Sequence, residues 1–85
     1  MMSFKQQEVL KSIIGKMQER FPEVKLVEVE EMNTQSFWVS LIEPTDEDRQ
    51  FELDDLQAEL GTDALLDYGI NFHFMPANSE SMQIG

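Results

Sequence analysis

His73 is the only histidine in the chain, and there is no cysteine. A His/Cys metal centre within one chain is therefore excluded, because such centres draw three or four of these donors together. His73 stands in an extended stretch, and Glu28 or Glu30 in another are its candidate partners for proton transfer. With no nucleophile beside them the pair specifies no reaction, so His73 reads first as a strand histidine on a partly solvated face. The runs Asp46-Glu47-Asp48 and Asp54-Asp55 offer oxygen donors for hard cations. They lack the calcium-loop pattern of acids at alternate positions, a central glycine and a distal glutamate. They read as solvated helix starts and turns, with at most weak divalent binding. Gly15, Gly61, Gly69 and Gly85 are isolated, so no phosphate-cradling loop is present. Ser12, Ser36, Ser40 and Thr62 have no His–acid arrangement that chain order supports. No catalytic residue, metal site or cofactor is expected.

Charge narrows the partners. The net charge is −11 over 85 residues. Residues 1–25 carry Lys5, Lys11, Lys16, Arg20 and Lys25 against Glu8, Glu19 and Glu23, which is 5 − 3 = +2. Residues 26–85 carry Arg49 against 14 acids, which is 1 − 14 = −13. A field of that sign repels phosphate backbones, so nucleic acid is not an expected partner. Such a surface keeps a small protein dispersed, or it meets a basic partner or mimics nucleic acid. The basic first segment also complements acidic surface on a second copy. No charged stretch followed by an apolar one opens the chain, and no apolar run approaches 18 residues. Neither a signal peptide nor a membrane span is expected, and the lack of cysteine fits a cytoplasmic location.

The elements that would carry these residues follow from periodicity. Ser3-x-x-Gln6 has capping-box spacing, and Leu10, Ile13, Ile14, Met17 and Phe21 repeat at three and four behind it. Pro22 ends that helix. Gly15 inside it either permits close approach to a sheet or is simply tolerated. Val24 to Met32 reads as a strand with Val27 and Val29 on one face and Leu26, Glu28 and Glu30 on the other. Asn33-Thr34-Gln35 turns it into Ser36–Ile42, so the two strands form an antiparallel hairpin. Residues 45–53 allow two readings: a helix capped at Thr45, or an acidic turn and a short strand over residues 50–53. Phe51 and Leu53 share a side only when extended, which favours the second, with the helix starting at Asp54. Gly61-Thr62-Asp63 offers a break in that helix, and Gly69 a C-terminal cap. Ile70–Met75 is the last strand, closed by Pro76.

The order helix, strand, strand, short strand, helix, strand predicts an α+β two-layer sandwich. Two main helices would cover one face of a three-stranded, optionally four-stranded, mixed sheet. The last strand should run parallel to the second through a right-handed crossover. Residues 1–76 form one domain and residues 77–85 a tail.

With both helices on one side, the other face of the sheet lacks a cover. Leu26, Trp38, Ile42, His73 and Met75 are its candidate interface residues, since Trp and Met are enriched where proteins meet. The expected function is that of a non-enzymatic protein acting through this face, most simply as a homodimer. A small-molecule binder or weak enzyme using Glu28, Ser40, Asn71 and His73 is the alternative. A third is an inhibitor of a basic partner or a nucleic-acid mimic.

From about residue 22 the chain resembles a minimal nucleotidyltransferase domain. The similar pieces are Phe21-Pro22-Glu23-Val24, the strand Ser36-Phe37-Trp38-Val39-Ser40-Leu41-Ile42, and Asp55-Leu56-Gln57-Ala58-Glu59-Leu60 followed by Gly69-Ile70-Asn71-Phe72. The resemblance implies a shared shape. The family's activity depends on a Gly-Ser turn after the first strand and two strand-borne aspartates that hold magnesium. Here Glu30-Glu31-Met32-Asn33 replaces the turn, and Phe37 and Val39 stand where the aspartates would be. No functional residue carries over. The helix–hairpin–helix–strand order also resembles the second type of KH domain, whose Gly-x-x-Gly loop is missing here.

Overall fold

The computed structural model describes residues 2–77. Helix α1 spans Phe4–Arg20, strand β1 Lys25–Asn33, strand β2 Ser36–Ile42, helix α2 Glu47–Tyr68 and strand β3 Asn71–Pro76. The strands form one sheet in the order β1-β2-β3, with β1 antiparallel to β2 and β3 parallel to it. The architecture is α+β, two helices on a three-stranded mixed sheet, as periodicity predicts.

Local signals set the element ends. The Ser3 hydroxyl accepts from the Gln6 N–H at 3.1 Å, and the Gln6 side-chain oxygen accepts from the Ser3 N–H at 2.9 Å. Gln6 also donates to the Thr34 carbonyl at 2.8 Å, tying the start of α1 to the hairpin turn. At the other end the Phe21 N–H donates to the Met17 carbonyl, and Pro22 prevents another turn. Gly69 closes α2 with φ +71°, a left-handed conformation that other residues adopt only with strain.

Val9, Leu10, Ile13, Ile14 and Met17 of α1 and Leu53, Leu60 and Ala64 of α2 form one buried cluster with Phe37, Val39, Leu41 and Phe72. Both helices therefore lie on the same face of the sheet. Phe21 and Val24, in and beside the α1–β1 connection, are buried with them. Arg49 lies over the Phe21 ring and grips Glu23 with two bonds of 2.8 and 3.1 Å, so the sole cation of residues 26–85 clamps the start of α2 to the loop before β1.

Two expectations are corrected. Residues 50–53 are helical, and α2 begins behind Asp46, whose carboxylate accepts from the Arg49 N–H at 3.1 Å. The fourth strand does not form. Phe51 misled the pattern because it stays 62% exposed while Leu53 is fully buried, so the two do not share a side. The helix also runs unbroken through Gly61-Thr62-Asp63. Of the two readings of Gly15, toleration is the one that fits, since a Cβ added there would meet nothing within 4 Å.

The register of β1 provides a further correction. Leu26 pairs with Leu41 and Glu28 with Ser40, so the strand slips by one residue at Val27. Cross-strand partners share a face. Leu26 consequently joins Val29 on the helix side, while Glu28 and Glu30 keep to the other side. The expected tail lies outside the described residues beyond Ala77, whose N–H donates to the Leu41 carbonyl at 2.7 Å. Among the described residues no helix is long and apolar enough to cross a membrane.

Candidate functional site

The sheet face away from the helices is built in rows. Glu30, Trp38 and His73 form one row across β1, β2 and β3, and Glu28, Ser40 and Met75 the next. Lys25 and Ile42 pair at one end, and Ser36 and Asn71 at the other. Trp38 keeps 38% of its surface exposed and lies 5.1 Å from the His73 ring, tilted by 39°. Ser40, Ile42, Asn71, His73 and Met75 are half-buried. Four of the five expected interface residues thus converge, namely Trp38, Ile42, His73 and Met75. Leu26 lies on the opposite face, because the slip at Val27 reverses the phase of the strand before it.

The same rows separate the residues proposed for proton transfer. The indole of Trp38 stands between Glu30 and His73, which are two strand spacings apart, about 10 Å. Glu28 lies in a different row from His73 as well as on the far strand. Ser40, in the Glu28 row, is likewise displaced from His73 and Asn71. The face is a flat strip with an acidic margin on β1 and an aromatic, weakly polar margin on β3.

Three concavities among the described residues bear on this face and its neighbours. One of about 430 Å³ follows the outer edge of β3, where Trp38, Asn71 and His73 meet Asp54, Gln57 and Thr62 of α2. A second, of about 420 Å³ and mainly apolar, lies between α1 and β1 and includes Leu26, Val29 and Lys11. The third, about 280 Å³, runs between the helices with Lys5, Glu8, Lys16 and Asp67 on its walls. There the Lys5 ammonium sits 4.8 Å from the centre of the Tyr68 ring.

A buried carboxylate escaped the periodicity analysis. Glu43 is only 7% exposed and accepts from the Gln57 side-chain amide at 3.2 Å. Burial raises its pKa above the ordinary carboxylate range; the Gln57 bond opposes this and the charge of Asp54 adds to it. The signal was available. Continuing the alternation Phe37, Val39, Leu41 by two places reaches Glu43, but reading Pro44 as the end of the strand hid it. Gln57 likewise falls on the stripe Leu53, Gln57, Leu60, Ala64 at helical spacing. Glu43 and Gln57 pair at the end of the covered face, and Gln57 also lines the concavity that Trp38 borders. Among the described residues no group of three or more His, Cys, Asp and Glu side chains is placed to hold a metal ion.

Comparison with protein families, with curated proteins and with solved structures finds no match to this chain. The nucleotidyltransferase resemblance therefore rests on its short pieces alone. Phe37 and Val39, at the positions of the family's aspartates, are completely buried beneath the helices.

Proposed function

We propose that the chain is a non-enzymatic interaction protein that meets a second copy of itself through the open face of its sheet. The observation that carries this reading is the placement of Trp38. The largest side chain in the molecule sits on the central strand, half out of its own fold, flanked by Ile42, His73 and Met75. Tryptophan is the residue whose burial between proteins contributes most.

Charge selects among the symmetric arrangements. A two-fold axis lying across the strands would set β1 over β1, placing Glu28 and Glu30 against the same residues of the second copy. A two-fold axis along the strands would set β1 over β3, placing those glutamates against His73, Asn71 and Met75. The second arrangement avoids like-charge contact and brings the two Trp38 side chains toward the axis.

Size sets the strength. Three strands of about six residues cover roughly 300 Å², from a spacing near 4.8 Å and a rise near 3.3 Å per residue. A stable interface buries roughly 800 Å² per partner. The association is accordingly weak and sensitive to concentration. Sedimentation velocity across a concentration series should show reversible dimers, with Trp38 fluorescence shifting to the blue as they form. Trp38→Asp should leave monomers at every concentration. A wild-type chain that stays monomeric at the highest soluble concentration would overturn the proposal.

A further inference from the structure

The groove along the outer edge of β3 has a backbone phase that its ends reveal. The Asn71 N–H donates to the Gln35 carbonyl at 2.8 Å, and the Ala77 N–H donates to the Leu41 carbonyl at 2.7 Å. The odd-numbered residues of β3 therefore turn their backbone groups toward β2. Successive residues of a strand alternate in this respect, so Phe72, Phe74 and Pro76 turn theirs to the outside. Pro76 has no N–H, and it falls where its own sheet needs none. Phe72 and Phe74 remain as two outward positions, each with a donor and an acceptor.

Helix α2 walls this edge. Gly61 lies beside it, so that a Cβ there would be 3.9 Å from the Phe72 carbonyl oxygen and 3.8 Å from the Phe74 ring. The small neighbours Ala58 and Thr62 line the space above. The opposite edge of the sheet differs. On β1 the register slips at Val27 and again at Met32, and Glu28, Glu30 and Glu31 crowd the strand, features that discourage pairing.

We propose that the β3 edge groove takes an extended, cationic peptide segment as a fourth strand. Main-chain bonds to Phe72 and Phe74 set its register, and alternate side chains divide between the two sides. Those on the helix side meet Asp54, the one carboxylate of the lining, so lysine or arginine belongs there. Those on the other side meet Trp38 and His73. The strongly negative charge of residues 26–85 draws such a guest and repels an acidic one. A second copy of β3 does not fit. Paired strands lie about 4.8 Å apart, whereas packed helices need about 8–10 Å, so the two α2 walls would collide first. The site shares Trp38, Asn71 and His73 with the open face, whereas the outward main-chain groups of Phe72 and Phe74 belong to the groove alone.

The test uses the full chain and a capped hexapeptide of alternating lysine and valine. Titration should shift Trp38 fluorescence and slow hydrogen exchange at the Phe72 and Phe74 amides. A hexapeptide N-methylated along one edge should bind at least tenfold more weakly. Asp54→Lys should transfer preference to the glutamate–valine hexapeptide. The proposal is overturned if the N-methylated peptide binds as well as its parent, if exchange at Phe72 and Phe74 does not change, or if the lysine peptide fails to bind at millimolar concentration. Dimerisation through the open face leaves exchange at these outward amides unaltered, so the two proposals fail independently.

Discussion

Along β2 the side chains of Phe37, Val39 and Leu41 lose all contact with solvent, whereas Trp38 between them keeps 38% of its surface. Along this one strand both faces carry large apolar side chains, although β1 and β3 add mostly polar residues to the second. The two helices bring both of their apolar stripes down on the first face. Strand alternation assigns residues to faces, but only the connections decide which face receives cover. The covered face should therefore govern stability, and the open face association.

The largest effect should come from Phe37→Ala. Removing a fully buried aromatic side chain costs about 3–5 kcal/mol, a large part of the roughly 5–15 kcal/mol that holds a domain together. Trp38→Ala, measured on dilute monomer, should cost about 1–2 kcal/mol, since the indole is partly exposed in the free chain. Denaturant unfolding of both variants checks the contrast, and equal losses would break it.

Next in size is the pH response of the glutamate on the covered face. Glu43 is held above the ordinary carboxylate range by burial. In that interval the folded chain binds the proton and the unfolded chain does not, so stability falls as pH rises from the unfolded pKa through the folded one. Glu43→Gln should flatten that fall, and Gln57→Leu should move it to higher pH by removing a bond that favours the charged form. Glu23 acts with the opposite sign. Its own backbone bonding and the Arg49 guanidinium lower its pKa, so its contribution is present above the unfolded pKa and is lost as pH falls through the folded one. Arg49→Met should reduce this acid-side loss, leaving the part due to backbone bonding, while Glu43 keeps its own slope. Thermal melts between pH 3 and pH 7 distinguish the two glutamates.

The smallest effect sharpens the comparison from the helix side. Gly15 lies in α1 with open space where its Cβ would be. Gly15→Ala should stabilise the chain by about 1 kcal/mol, measured by denaturant unfolding. A loss would mean that α1 sits closer to β1 than its packing here indicates.

Much of the fold was legible because it depends on contacts close in sequence. The Ser3–Gln6 capping box, the stop at Pro22, the turn through Thr34 and Gln35 and the left-handed Gly69 each involve residues within a few positions of one another. The start of α2 was not legible, because Phe51 counted as apolar in the pattern but meets solvent in the fold. The candidate site was legible through Trp38, Ile42, His73 and Met75, which alternate regularly on β2 and β3. It failed at Leu26, where a single-residue slip in β1 reversed the strand's facing.

From its amino acids alone this protein has its element order, its amphipathic helices, its two-layer class and its strong negative charge, since each is a property of composition or short spacing. Tertiary structure decided that Leu26 turns inward, that Glu43 is buried, that Trp38 separates Glu30 from His73, and that α2 walls the edge of β3. Those outcomes depend on how strands align and where a helix comes to rest. Both are settled by packing among residues far apart in the chain, whose sum no local pattern contains.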